Sequence, residues 1–144
     1  MAREATPAAV RAYGLLGLIP FLLPPVIAWV RPQSAQLILA LEAHYAALIL
    51  SFLGGVRWAM EARKPAPDAG VIGLSMIPTL VALTLLELPV LSPSQRLFGL
   101  ALALAAHWAW DLMSADAPPW FPGLRTTLSV GAVAGLIAAG LALV

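Results

Sequence analysis

Five apolar runs make up most of the chain: Tyr13–Val30, Ala35–Met60, Gly70–Leu88, Arg96–Met113 and Thr126–Val144. Each is close to the ~20 residues that a helix needs to cross the hydrocarbon core of a bilayer. The segments between them carry turn residues: Arg31-Pro32-Gln33-Ser34, Glu61–Asp68 with Pro65 and Pro67, Leu91-Ser92-Pro93-Ser94, and Ala115–Gly123 with Pro118, Pro119 and Pro122. The pattern predicts an all-α fold: a polytopic integral membrane helical bundle of five transmembrane helices, forming a single membrane domain over residues 1–144. Ser34 suits the N-cap of the second span, and Ser92 followed by Pro93 suits the start of the fourth. Pro20, Pro24 and Pro25 in the first span and Pro78 in the third predict kinks, because each proline removes a backbone donor and frees a carbonyl that neighbours must satisfy.

Composition fits a lipid-facing exterior. Hydrophobic residues make up 61% of the chain and charged residues 10%, against about 25% charged in a soluble domain. A net charge of +1 gives no basis for nucleic-acid binding. With no cysteine, disulfides, thiolate catalysis and cysteine-ligated metal are excluded. Arg3 and Arg11 ahead of an apolar run imitate a secretion signal, but the run is long, proline-bearing and followed by Arg31-Pro32, so it reads as a retained first span. Five spans put the termini on opposite sides. One side collects Arg3, Arg11, Arg57, Arg63, Lys64 and Arg125, the other Arg31 and Arg96, which predicts a cytoplasmic N-terminus. Trp29, Trp58, Trp110 and Trp120 fall near the predicted boundaries, where amphipathic rings settle. The odd number of spans argues against a two-half inverted-repeat transporter.

The candidate functional residues are the polar ones inside the spans, where an ionisable group costs about 2.5–3.5 kcal/mol on insertion scales. Glu42 and Arg57 lie only about 60° apart around the second helix. His44, Ser51, Gly55 and Trp58 fall on roughly the opposite face, so this helix reads as central. Its polar residues suit either a polar path or plain interhelical hydrogen bonding. His107 and Asp111 are spaced i, i+4 and share a face of the fourth helix. Asp111, Arg57 and Arg125 should lie at the same end of the bundle, which predicts an Arg57–Asp111–Arg125 ion cluster. His44 and His107 are the two imidazoles a bis-histidine haem would need, although membrane histidines more often hydrogen-bond across helices. No metal, nucleotide or nucleophile motif appears, so no cofactor or metal is assigned. Gly54 and Gly55, and the stripe Gly131-x-x-x-Gly135 continued by Ala138 and Ala142, predict close helix contacts, inside the bundle or between subunits.

Several stretches carry a family resemblance. Tyr13-Gly14-Leu15-Leu16-Gly17-Leu18-Ile19-Pro20-Phe21 and, more specifically, Ile49-Leu50-Ser51-Phe52-Leu53-Gly54-Gly55-Val56-Arg57-Trp58 resemble the transmembrane protein 69 family, a domain-of-unknown-function family of bacteria and mitochondria. Ser75-Met76-Ile77-Pro78, Asp111, Pro119-Trp120-Phe121 and Leu124-Arg125 match in order. Members of that family often carry His where this chain has Arg57 and Gly where it has Ala59, so an obligatory imidazole is not expected there. The resemblance implies a small multi-span protein of the bacterial inner membrane, or of the mitochondrial inner membrane in a eukaryote. It implies no activity.

Three functional readings follow. The first is a structural, accessory or assembly partner of a larger membrane complex, suited by small size and small-residue faces. Its partners are the lipid bilayer and either another membrane protein or further copies of the chain. The second is a small transporter or channel whose path is lined by Glu42, His44, Arg57, His107 and Asp111. The third is a membrane enzyme or binder of a lipid-like, quinone-type ligand. The sequence leans away from an enzyme.

Overall fold

The computed structural model describes residues 5–114 and 117–144. The helices are α1 (Ala8–Leu16), α2 (Ile19–Val30), α3 (Ala35–Ala62), α4 (Ala69–Leu74), α5 (Ile77–Glu87), α6 (Pro93–Leu112) and α7 (Phe121–Leu141), with a 3-10 turn at Pro32–Ser34. They group into five rods, α1–α2, α3, α4–α5, α6 and α7, joined by short connections that reverse the chain each time. The protein is a helical membrane bundle. Ala8–Val30, Pro32–Ala62, Ala69–Glu87 and Phe121–Leu141 are each long and apolar enough to cross a membrane. The remaining rod, α6, has 20 residues and so the length. Its lower hydropathy comes from Gln95 and Arg96 at its start and from His107 and Asp111, both buried in the bundle.

Helix boundaries differ from the sequence reading where prolines act. The first and third spans are not bent helices but pairs of helices, interrupted at Gly17-Leu18 and Ser75-Met76, just ahead of Pro20 and Pro78. Proline fits the first turn of a helix, whose amides lack partners in any case, and disfavours helical backbone in the residue before it. The same rule moves the start of α7 from Thr126 back to Phe121, with Pro122 in its first turn. Ser34 makes no side-chain cap, because the 3-10 turn runs straight into α3. Ser92 does cap, in a reciprocal box with Gln95. Asp68, not singled out from the sequence, caps α4 through the amides of Gly70 (2.7 Å) and Val71 (3.2 Å). The Arg96 guanidinium closes the α5–α6 turn by donating to the carbonyls of Leu86, Leu88 and Leu91, groups left over at a helix C-terminus.

The core runs along α3, α6 and α7, through Leu39, Leu50, Leu97, Leu100, Leu104 and Leu136. Glycines set how closely the rods approach. A Cβ on Gly54 would stand 2.6 Å from the Ser75 carbonyl oxygen at the α4–α5 break, whereas a Cβ on Gly55 would meet nothing within 4 Å. Gly135 lets α7 close on the carbonyl of Phe21, the group that Pro25, four residues on, cannot bond. The Gly131 and Gly135 contacts are thus made inside the bundle, with Leu18 and Phe21.

The adjacent glycines of α3 should therefore respond oppositely to alanine. Gly54→Ala should cost about 1–3 kcal/mol through overpacking. Gly55→Ala should be neutral or gain up to about 1 kcal/mol from helix propensity. Thermal melting of both variants in the same detergent checks this; equal melting temperatures would disprove the packing assignment.

Candidate functional site

Three helix ends meet at one end of the bundle. Arg57 lies near the C-terminus of α3, Asp111 beside the C-terminus of α6, and Arg125 in the early turns of α7. Asp111 is the hub. Its Oδ2 accepts from Arg125 Nε at 2.6 Å and lies 3.2 Å from His107 Nδ1, while its Oδ1 is 4.0 Å from Arg57 Nε. A carboxylate only accepts, so the histidine nitrogen facing it is the protonated one, and the neutral ring presents a bare Nε2 on its far side. Arg125 Nη1 donates to Ser129 Oγ at 2.6 Å, one turn along its own helix. Arg57 Nη1 donates to Ser114 Oγ, which in turn donates to the Trp110 carbonyl at 3.1 Å. The Arg57 guanidinium also lies over the Trp110 ring, 4.4 Å from its centre, where the ring quadrupole attracts a cation.

Asp111, His107, Arg125 and Ser129 are all buried. Even so, several polar atoms remain without partners. Arg57 Nε, Arg125 Nη2 and His107 Nε2 are buried and make no hydrogen bond. Two guanidiniums share one carboxylate, so the site carries an excess of positive charge among the described residues.

The cluster closes one end of a cavity of about 520 Å³. Its walls come from α1–α2 (Tyr13, Gly17, Phe21), α3 (Tyr45, Phe52, Val56) and α7 (Leu124, Leu128, Ala132), and Arg57, Asp111, Ser114, Arg125 and Ser129 supply its polar end. Tyr13 and Phe52, both lining the cavity, are exposed on the apolar outside of the bundle. Tyr45 holds the wall by donating to the Gly17 carbonyl at 3.0 Å. That carbonyl is available because the Phe21 amide bonds to Leu18 instead. A second cavity, of about 590 Å³, lies between α5 and α6, lined by Val81, Leu85, Leu102, His107 and Trp110. His107 and Trp110 thus sit between the two spaces.

The other sequence candidates are elsewhere. Glu42 is buried with both carboxylate oxygens unpartnered, and it lines neither cavity. His44 is exposed, its Nδ1 2.7 Å from the Ala40 carbonyl of its own helix. His107 lines the second cavity and His44 lines neither, so the two imidazoles do not face a common one of these spaces. Ser51 shares a 2.9 Å hydrogen bond with Thr79 and ties α3 to α5. Among the described residues no group of His, Cys, Asp or Glu has the arrangement to hold a metal ion. The sequence reading missed Ser129, Ser114 and Trp110 as members of the cluster. The signal for Ser129 was its i, i+4 spacing from Arg125; nothing in spacing alone pointed to Ser114.

Comparison with known proteins bears on what this site belongs to. Residues 6–141, the whole bundle, match a family described as proteins of unknown function (DUF3429). The chain belongs to this family. It is also similar to transmembrane protein 69 of Xenopus tropicalis, at 38% identity over 86% of this chain and 50% of the relative. It shares 30% identity with transmembrane protein 69 of Mus musculus, over 77% of this chain and 46% of the relative. The chain thus spans about half the length of these curated relatives. No solved structure matches it.

The cluster makes a stability prediction. Asp111→Ala strands two buried guanidiniums and should cost about 3–5 kcal/mol. Adding Arg125→Met should recover part of the loss, as expected for directly coupled residues. Melting of the single and double variants in mild detergent checks this, and wild-type melting of Asp111→Ala would remove Asp111 from its role as hub.

Proposed function

We propose that this membrane protein binds a lipid-like molecule in the cavity beside Arg57, Asp111 and Arg125. The observation that carries the reading is the shape and chemistry of that space: apolar walls, a lipid-facing rim at Tyr13 and Phe52, and a polar end formed by a few converging side chains. Its volume of about 520 Å³ falls in the range of about 300–1,000 Å³ typical of small-molecule sites.

Two other readings have less behind them. A polar path for transport would need Glu42 and His44 to join the cluster, and neither lines the cavity that holds it. An accessory or assembly role, with another membrane protein or a second copy as partner, drew on small-residue faces; Gly54, Gly131 and Gly135 are used against the protein's own helices. For location we propose the bacterial inner membrane with the N-terminus in the cytoplasm, or the mitochondrial inner membrane in a eukaryote. The support is the excess of basic residues on the N-terminal side. Arg3, one of those counted, lies outside the described residues.

Narrowing the cavity tests the binding reading. After mild-detergent purification, the wild type should carry about one lipid-sized adduct per chain in native mass spectrometry. Val56→Trp, which fills the wall next to Arg57, should carry several-fold less at a similar melting temperature, as expected when bulk displaces a bound ligand from an apolar pocket. Absence of any adduct on the wild type, even with added lipid, would overturn it.

A further inference from the structure

We infer that the molecule held in this cavity is an anionic membrane phospholipid, its phosphate set against Arg57 and Arg125 and an acyl chain lying along the apolar wall. The inference rests on the binding reading above and goes beyond it by fixing the charge of the head.

Arg57 and Arg125 face a single carboxylate, Asp111. His107 adds either nothing or a further positive charge. No other acid described in the bundle reaches the site. Glu61 is engaged by the Asp68 amide at 2.9 Å and by Lys64 at 2.8 Å. Glu42 is about fifteen residues before Arg57 on α3, which is about 22 Å along the axis. Among the described residues one unit of positive charge is therefore left over, in surroundings where an unpaired charge is expensive.

Donor geometry points the same way. Arg125, more than nine-tenths buried, uses Nε on Asp111 and Nη1 on Ser129 and leaves Nη2 without a partner. Arg57 uses Nη1 on Ser114 and leaves Nε unbonded. Guanidinium forks with spare N–H groups match a phosphate, whose several oxygens accept in parallel. A quinone or a zwitterionic lipid offers acceptors but no net negative charge to offset the excess. Depth also fits. The cluster sits within about two turns of the ends of α3, α6 and α7, the level at which lipid heads meet hydrocarbon. The exposed Tyr13 and Phe52 border the space on the apolar flank of the bundle, where an acyl chain can enter from the side.

The test uses delipidated full-length protein titrated in native mass spectrometry with phosphatidylglycerol and, separately, phosphatidylcholine bearing identical oleoyl chains. The wild type should prefer phosphatidylglycerol by about tenfold, a difference of about 1.4 kcal/mol. Arg57→Gln should lose most of that preference while keeping affinity for the zwitterionic lipid, and Val56→Trp should weaken both lipids. Equal binding of the two lipids by the wild type would leave the binding reading standing and overturn the anionic head. Failure to bind either would overturn both. Should Arg57→Gln not fold, the wild-type comparison decides alone; should it fold and keep the full preference, Arg57 is not the phosphate ligand and the inference fails as stated.

Discussion

Lipid offers no hydrogen bonds, so a carbonyl that a proline frees inside the membrane has to be met by another part of the protein. The bundle is arranged around that requirement. The break ahead of Pro20 leaves the Gly17 carbonyl to the Tyr45 hydroxyl on α3. The break ahead of Pro78 brings the Ser75 carbonyl against Gly54, also on α3. Pro25 frees the Phe21 carbonyl, and Gly135 of α7 lies against it so closely that a Cβ there would stand 2.2 Å from its oxygen. The long helix α3 packs against both breaks, bonding to the first through Tyr45 and lying close to the second at Gly54. The same breaks create the cavity. Gly14 and Gly17 at the first interruption leave no side chain in the space between α1–α2, α3 and α7, and the wall there is backbone and aromatic ring.

Ionisable side chains obey the same constraint with larger energies. Most of those within the spans gather at one end, where Asp111 is shared by two arginines and a histidine. Hydroxyls of Ser114 and Ser129 take up guanidinium N–H groups, and the Trp110 ring takes one guanidinium face. The arrangement holds each arginine fixed without using all its donors. A fixed, partly unsatisfied pair of forks suits the anionic ligand proposed above, because the ordering has been done before a ligand arrives. His107 and Trp110 separate this site from the second cavity, so the cavity along α5 and the polar cluster share a wall but not a space.

Much of the fold was legible in the sequence, because length and hydropathy alone decide which stretches can cross a bilayer. The grouping of Arg57, Asp111 and Arg125 could be written down from helix length and alternating direction, since each lies near the same end of its rod. What the sequence withheld depends on how rods rotate and approach. Gly54 and Gly55 look alike in a string, yet only one faces a neighbour's carbonyl. Tyr45 gave no sign that it bonds to Gly17, because its partner exists only after the first span breaks. Ser34 looked like a cap, but a proline two residues earlier started a 3-10 turn that made the cap unnecessary. Glu42 and Arg57 share a helix face in projection, while about four turns of helix separate them along the axis.

The relatives bear on which part of this architecture is the working unit. The family match covers residues 6–141 and so takes in all seven helices, the three carbonyl contacts and the whole charged cluster. The two curated relatives are about twice as long as the region they share with this chain. In this chain the shared region already holds a cavity and a charged end. A site that reaches the bilayer through the gap between α1 and α3, at Tyr13 and Phe52, does not depend on a soluble domain for access. On the proposed reading the bilayer itself is the source of the ligand, and the charge of the cluster is what selects it.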